Sequence, residues 1–448
     1  MPRVSFYTLG CKLNTYDTEW YQEQFAQAGY EVVPFGQVAD VTVVNTCTVT
    51  GQGDAQSRQA LRKAARVSPD ATLVAVGCYA QTDPDALLAL PEVDLVVGME
   101  ARGRLLDLIN ATCSIGRSHV ARGRAKDFQE MDISAFGGRS RAFVKVQEGC
   151  DQFCSFCIIP FARGRSRSRS VESAVAQVRR LVQAGYREVV LTGVHIGDYA
   201  SNGAALLDLL TAVEEIEGLA RFRVSSIEAA FIPDAEIDLF ARSKKFCRHL
   251  HVPLQSGDDR ILSAMRRPYT SAQYRDLMRN LSDRIPGIGL GADVMVGFPG
   301  EDEEAFENTF KLIEEIPLVY LHVFPYSPRQ DTPAAKMPHQ VEPRVKAARA
   351  ARLRDLGARK ADTFRREAVG QTFEVLFEGR RDPEAGLLNG LTDTYIRVFA
   401  PGPDAATHRI VPVRIERVEG DRAIGRIVGE VDAGVSVSDS LELPVWQG

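Results

Sequence analysis

The sequence predicts an α/β protein in three parts: a parallel α/β domain over residues 1–130, a partial (β/α)6 barrel over 138–368 and a small all-β barrel over 370–446. Three observations carry this expectation. Short β-branched runs alternate with helical patterns through most of the chain, the pattern of a parallel sheet. A polar, arginine-rich and glycine-containing stretch, residues 122–141, separates two such series and reads as a linker. After Gly370 the helical patterns cease, and short strands follow one another between turns.

In the first part, strands are expected at residues 4–9, 41–45, 72–76 and 95–97, with helices such as 16–28 and 56–66 between them. From Ala142 the second series places strands at 143–147, 188–192, 221–225, 249–252, 290–296 and 319–324. Loops and helices follow them, at 171–184, 204–217, 233–243, 258–265 and 301–315. Six units within about 185 residues suit a three-quarter barrel, because a closed eight-unit barrel takes about 250. Residues 343–369 form a helix rich in Arg and Ala, and TFEVLFEG, YIRVFA, HRIVPVRIERVEG and RAIGRIVG supply the strands of the last barrel.

Composition excludes several classes. With 45% hydrophobic and 25% charged residues the chain is an ordinary globular one. No apolar run is long enough to span a membrane and no secretory leader is evident, so a cytoplasmic location is expected. A net charge of −5 argues against non-specific coating of nucleic acid, though not against a local basic surface. Eight cysteines in 448 residues are too few for a disulfide scaffold, and in a reducing compartment clustered thiols point to metal ligation or catalysis.

The cysteines are clustered. Cys150, Cys154 and Cys157 lie in CDQFCSFC, directly after the strand 143–147. Three thiolates at this spacing can wrap one face of an iron–sulfur cubane and leave its fourth iron without a protein ligand, free for chemistry. Structural zinc would need four ligands, and neither a His nor a fourth Cys lies nearby in sequence. Cys11, Cys47 and Cys78 each fall just past the end of an expected parallel strand. Such ends share one rim of a sheet, where ligands bind, so residues far apart in sequence can meet there. A second open cluster is expected. Gly10 and Gly77 precede two of these cysteines, as close packing of backbone against a bulky core requires. Cys113 and Cys247 have no partners at ligand spacing and read as structural.

The motif C-x-x-x-C-x-x-C after a first barrel strand resembles that of the radical SAM enzymes, which bind S-adenosylmethionine (SAM) on the open iron of a [4Fe–4S] cluster and cleave it to a 5′-deoxyadenosyl radical. Phe156 matches the position whose ring packs beside the SAM adenine. Polar groups at the other strand ends strengthen the resemblance: LTGVHIGDY, VSSIE, HVPLQSG, DVMVGFPGE and FPYSPR. Asp258 and Glu301 there read as helix caps. The whole chain is similar to the methylthiotransferases, which join an N-terminal cluster domain, a radical SAM barrel and a C-terminal TRAM barrel. That likeness implies an auxiliary [4Fe–4S] cluster on Cys11, Cys47 and Cys78 carrying the sulfur to be transferred, and SAM contacts from Gly193, Ser226, Glu228 and Gln255. The stretches YTLGCKLNTYDTE, QEGCDQFCSFCIIPFARGRSRSR and HVPLQSGDDRILSAMRRPYT are most similar to the MtaB-type branch, which acts on threonylcarbamoyladenosine in tRNA. By the same likeness the partners are tRNA, an electron donor such as a flavodoxin or ferredoxin, and a sulfur donor. One departure is RQDTPA, where the family usually has Gly and this chain has Asp331. The alternatives are a methylthiotransferase acting on another tRNA adenosine derivative or on a ribosomal protein, and a metal-binding RNA adaptor without catalysis.

Arg163, Arg165, Arg167 and Arg169 alternate with small residues just after the cluster loop, and their place beside the radical site suggests contact with RNA phosphates. The last barrel fits RNA poorly. From residue 371 to 448 it holds 8 Arg and Lys against 13 Asp and Glu, so RNA there would need a local patch such as Arg409, Arg414, Arg417, Arg422 and Arg426.

Overall fold

A computed structural model describes residues 1–115, 119–121, 123 and 126–429; the side chain of Cys113 lies outside the described residues, as does the end of the expected last barrel. The first part contains β1 (Arg3–Thr8), β2 (Glu31–Val33), β3 (Val41–Thr46), β4 (Thr72–Gly77), β5 (Leu95–Val97) and β6 (His119–Ala121). They pair in parallel in the order β2-β1-β3-β4-β5-β6. The helices are α1 (Lys12–Gln27), α2 (Gly51–Val67), α3 (Cys78–Thr82), α4 (Pro84–Leu88) and α5 (Leu105–Ile115). β3 is buried at every residue, as a central parallel strand covered on both faces must be. α2 starts where the Thr50 hydroxyl accepts from the Gly53 amide, with Asp54 in its first turn and Arg66 in its last, both matched to the helix dipole.

The second part runs through β7 (Arg141–Lys145), β8 (Gln147–Glu148), β9 (Arg167–Ser168), β10 (Glu188–Thr192), β11 (Ala200–Ser201), β12 (Ala204–Ala205), β13 (Arg221–Val224), β14 (His249–His251), β15 (Gly289–Val296) and β16 (Tyr320–Pro325). Two parallel sheets, β13-β10-β7 and β14-β15-β16, form the six staves of a partial barrel. The helices around it are α6 (Ile159–Arg163), α7 (Val171–Gln183), α8 (Leu206–Glu214), α9 (Asp234–Arg242), α10 (Asp259–Ala264), α11 (Ser271–Arg284), α12 (Glu303–Glu315) and α13 (Pro343–Glu367). The α/β class and the six staves agree with the sequence. α11 was not expected, although Thr270 and Gln273 form a capping box at its start. Asp258 caps α10, but Glu301 is no cap: Asp302 caps α12, while Glu301 accepts from the Gly297 amide and from Arg349.

β17 (Thr372–Arg381), β18 (Leu388–Leu391), β19 (Arg397–Ala400), β20 (Ile410–Glu419) and β21 (Arg422–Ile427) close into a barrel in the order β17-β18-β19-β21-β20. β18 is a strand the sequence reading lacked. This small barrel has its own core around Val375, Phe377, Val398 and Val413. The first sheet and the large barrel instead share one core, in which Tyr16 and Phe25 join Phe136, Phe143 and Leu181.

The small barrel seals the N-terminal end of the large one. Glu188 accepts from Arg221 at 2.5 Å and Arg223 at 2.7 Å. The remaining guanidinium nitrogens donate to the carbonyls of Glu374 (2.8 Å), Leu391 (3.0 Å), Thr392 (2.5 Å) and Asp393 (2.9 Å).

Candidate active site

The loop carrying Cys150, Cys154 and Cys157 is pinned at several points. The Ser155 hydroxyl donates to the Ala264 carbonyl (2.7 Å), its amide donates to Met265 (3.1 Å), and its carbonyl accepts from Ala334 (2.8 Å). The Cys150 amide donates to Gly164 at 3.1 Å, closing the other side. A Cβ at Gly149 would stand 1.9 Å from the Arg165 carbonyl, so only glycine lets the two segments meet. Burial, with Cys154 adding, pushes the Cys150 thiol up to about 11 and the Cys157 thiol up to about 12. Both carry protons near neutral pH until a metal displaces them. Arg267, which the sequence reading missed, donates to Cys154 Sγ at 3.2 Å and forms an ion pair with Glu228. Its position is 113 residues from Cys154 in sequence, and no local pattern connects the two.

Cys11, Cys47 and Cys78 follow β1, β3 and β4, which are neighbours in the sheet, so the three thiols gather on one rim. Each of Cys47 and Cys78 feels the charge of Cys11, and Cys78 that of Cys47. Burial pushes the Cys78 thiol up to about 12. The cradle is tight. An added Cβ at Gly10 would stand 3.0 Å from Cys47 Sγ, and one at Gly77 would stand 2.4 Å from Asn45 Oδ1. Both glycines have positive φ, +99° and +97°, which a side chain would strain. Two trios of sulfur donors, neither with a fourth ligand in its loop, fit two clusters with one open iron each.

Three of the four arginines in the run are buried against carboxylates of the protein itself, contrary to their reading as an RNA contact. Arg163 is buried, donates to Glu148 Oε1 (2.5 Å) and Asn14 Oδ1 (2.5 Å), and lends its charge to Cys78 and Cys11. Arg167 is buried against Glu148 (3.3 Å) and the Arg163 and Arg165 carbonyls, and Arg169 is buried against Asp132 and Glu130. These three cannot reach a phosphate while so held. Arg165 alone stays exposed, 3.0 Å from Asp151 and over the Phe153 ring. Of the suggested small-barrel patch, Arg417, Arg422 and Arg426 are likewise paired, with Glu419, Asp382 and Glu416.

The remaining candidates stand at the C-terminal ends of the staves. Phe156 packs edge-on to Phe298 (6.5 Å) in a cluster with Tyr326. The Gly193 amide donates to Ser225 Oγ at 3.3 Å, and a Cβ there would stand 2.9 Å from Gln147 Oε1. Ser226 is half-buried. Gln255 sits at φ +67°. Its Oε1, the Tyr326 hydroxyl and both ring nitrogens of His195 are buried without a hydrogen-bond partner among the described residues. Buried polar atoms of this kind require a partner, and a polar cofactor such as SAM supplies one. Arg329 points elsewhere: it pairs with Asp54 (2.7 Å) and Thr48 (2.7 Å), beside Cys47, and clamps the barrel to the first sheet. Asp331 takes the left-handed conformation, φ +69°, so the Asp adopts the turn that Gly would have occupied.

Across β14, β15 and β16, Asp293 accepts from His251 (3.1 Å) and from the exposed His322 (3.3 Å), whose rings stack at 5.1 Å. Burial alone would raise its pKa, but the two histidines outweigh it and hold the carboxyl well below the usual range. His249 stacks on Tyr395 of the small barrel at 4.3 Å and hydrogen-bonds Tyr320 at 2.8 Å.

Comparison with known proteins agrees with this geometry. Residues 144–313 match the Radical SAM superfamily, residues 3–98 the Uncharacterized protein family UPF0004, and residues 366–428 the TRAM domain. The chain is 43% identical over 427 residues, 93% of its length and 94% of the relative's, to the Threonylcarbamoyladenosine tRNA methylthiotransferase MtaB of Bacillus subtilis. The protein of that name from Aquifex aeolicus is 41% identical, over 84% of this chain and 92% of its own. Among solved structures, the radical S-adenosylmethionine methyltransferase TsrM of Kitasatospora setae shares the fold with a TM-score of 0.56 at 17% identity, over 75% of this chain and 77% of that one.

Proposed function

The chain belongs to the MtaB family of threonylcarbamoyladenosine tRNA methylthiotransferases, and on that premise we propose that it inserts a methylthio group at C2 of N6-threonylcarbamoyladenosine in tRNA. The observation that supports this most is the pair of open cysteine trios, the first followed in the chain by Arg163, which hydrogen-bonds Asn14 and feels the charge of Cys78 and Cys11. In this reading Cys150, Cys154 and Cys157 hold the [4Fe–4S] cluster whose free iron takes SAM, and Cys11, Cys47 and Cys78 hold the auxiliary one. When bound, these groups supply reductive cleavage of SAM and delivery of a methylthio group.

The protein's own part is positioning and charge. Arg267 keeps a positive charge against Cys154 and orients Glu228 toward the cofactor side of the barrel. Arg163 does the same for the second trio, fixed by Glu148 and Asn14. Phe156, Gly193, Ser226 and Gln255 line the SAM side. The sealed floor keeps water from reactive species. An electron donor, a sulfur donor and a cytoplasmic setting belong to this proposal; among the described residues no helix is long and apolar enough to cross a membrane.

Mass spectrometry of tRNA nucleosides from a strain lacking the gene tests the reading. The methylthio derivative of threonylcarbamoyladenosine must disappear and return with the gene; its persistence in the deletion strain, with no related gene present, would overturn it. Anaerobic reconstitution must load about eight irons per chain, and about four would remove one cluster.

A further inference from the structure

The two faces of β16 are told apart by what packs on them. A Cβ added to Gly357 of α13 would stand 3.2 Å from Leu321 Cβ, and Val323 joins the core with Leu312 of α12 and Leu353 of α13. Side chains alternate along a strand, so Tyr320, His322 and Phe324 share the opposite, inner face of the barrel. That face is layered. Nearest the small barrel, the Tyr320 ring lies where a side chain on Gly291 would stand, and its hydroxyl hydrogen-bonds His249 (2.8 Å) and His251 (3.1 Å). At the other end Phe324 packs with Met295 and with Phe156 of the cluster loop. His322 lies between the two, directly beside Asp293 of β15, and is exposed. In this middle layer His251 is used at both nitrogens, Nδ1 by Tyr320 and Nε2 by Asp293. His322 is not. Its Nδ1 stands 3.3 Å from Asp293 Oδ1, and because an ionised carboxylate only accepts, Nδ1 carries the proton. In the neutral ring Nε2 is then a bare acceptor, and it has no hydrogen-bond partner among the described residues.

The substrate in the reading above brings donors for such an atom. An adenine offered to the cofactors by its C2 edge carries its N6 substituent away from them, and the polar layer one step below Phe156 and Phe324 is placed to receive it. That substituent is a urea bearing threonine, with N–H and hydroxyl groups to donate. We propose that His322 is a specificity-determining residue whose Nε2 accepts a hydrogen bond from the threonylcarbamoyl group and so favours this nucleoside over adenosines with an alkyl group on N6. Asp293 is the positioning residue that fixes the ring and its tautomer. The inference rests on the function proposed above and deepens it.

The test uses the full-length enzyme, reconstituted with iron and sulfide, and one anticodon stem-loop in two forms, with N6-threonylcarbamoyladenosine or with an N6-alkyladenosine of similar length. Dissociation constants for both are measured with the wild type and with His322→Phe, His322→Gln and Asp293→Asn. The wild type should favour the threonylcarbamoyl form, and His322→Phe should cut that preference about threefold to tenfold, the worth of a neutral hydrogen bond. His322→Gln, which keeps an acceptor, should lose less. Asp293→Asn should cut the preference although the imidazole stays, because an amide can donate to Nδ1 and move the ring proton to Nε2. Loosened packing or lost clusters weaken both RNAs alike and leave the ratio in place. A wild-type ratio near one, or a ratio unchanged in His322→Phe, overturns the role of His322, and a ratio unchanged in Asp293→Asn alone overturns its positioning by Asp293. Methylthio insertion by the wild type into the alkyl form and not the threonylcarbamoyl form would instead overturn the substrate reading itself.

Discussion

Arg267 stands 3.2 Å from Cys154 Sγ with Glu228 on its other side, so its loss removes a counter-charge from a thiolate and leaves a carboxylate unmatched. Arg267→Met should lower release of 5′-deoxyadenosine tenfold or more, by the roughly 1.5–3 kcal/mol of a hydrogen bond to a charged group, and Arg267→Lys should recover part of it. Chromatography of the cleaved cofactor gives the answer; unchanged release means that the contact is only structural. Glu148 and Asp17 are surrounded by Arg102, Lys145, Arg163 and Arg167, a buried set with more cations than anions. Removing a carboxylate strands cations, whereas removing one cation leaves others to compensate. Glu148→Gln should therefore destabilise the fold by about 3–5 kcal/mol and Arg163→Met by clearly less, as denaturant melts would show. The arginine run also marks where sequence reading stops. Arg163, Arg165, Arg167 and Arg169 look alike in the chain, and only burial against Glu148 and Asp132 separates the first, third and fourth from the exposed second. Local spacing pointed to Cys150, Cys154 and Cys157, and placement at successive strand ends to Cys11, Cys47 and Cys78; neither signal reaches Arg267, whose partner is distant in sequence.

Among the elements, the β10–β13 floor carries a distinct pH signature. Burial would raise the Glu188 carboxyl, but Arg221 and Arg223 outweigh it and hold it down to about 2, against 4.5 when free. A folded value below the unfolded one means that the stabilisation is present above about 4.5 and is lost as pH falls toward 2. That loss amounts to roughly 3 kcal/mol, and Glu188→Gln should flatten the acid limb of the stability profile while lowering the neutral plateau. A profile of the same shape in the variant would assign the acid sensitivity elsewhere. The strands and most helices here were legible because apolar periods and caps repeat in every unit. α11 escaped because its buried residues, Tyr274, Met278 and Leu281, are few in a polar stretch, although Thr270 and Gln273 announced its start. β18 escaped because a short segment, LNGL, carries too little pattern to stand out.

For the whole molecule, the relation between the trios depends on the clamp from Arg329 to Asp54 and Thr48 and on the Gly51–Ser327 hydrogen bond of 3.1 Å. Cys154→Ala should abolish 5′-deoxyadenosine release, and Cys47→Ala should preserve part of it while stopping methylthio insertion. Asp54→Asn should behave like a mild form of the second: cofactor cleavage close to wild type, product reduced several-fold, because alignment across the gap fails before either half does. Parallel quantification of deoxyadenosine and modified nucleoside checks this, and an equal fall in both would deny the clamp that role. The carbonyls of Glu374, Leu391, Thr392 and Asp393 serve Arg221 and Arg223 as a stopper serves a flask. Deleting the C-terminal module would therefore unplug the catalytic vessel as well as remove a candidate RNA handle. A truncated enzyme that fails is thus no measure of how tightly that module grips tRNA; single substitutions on its outer face are the fair comparison.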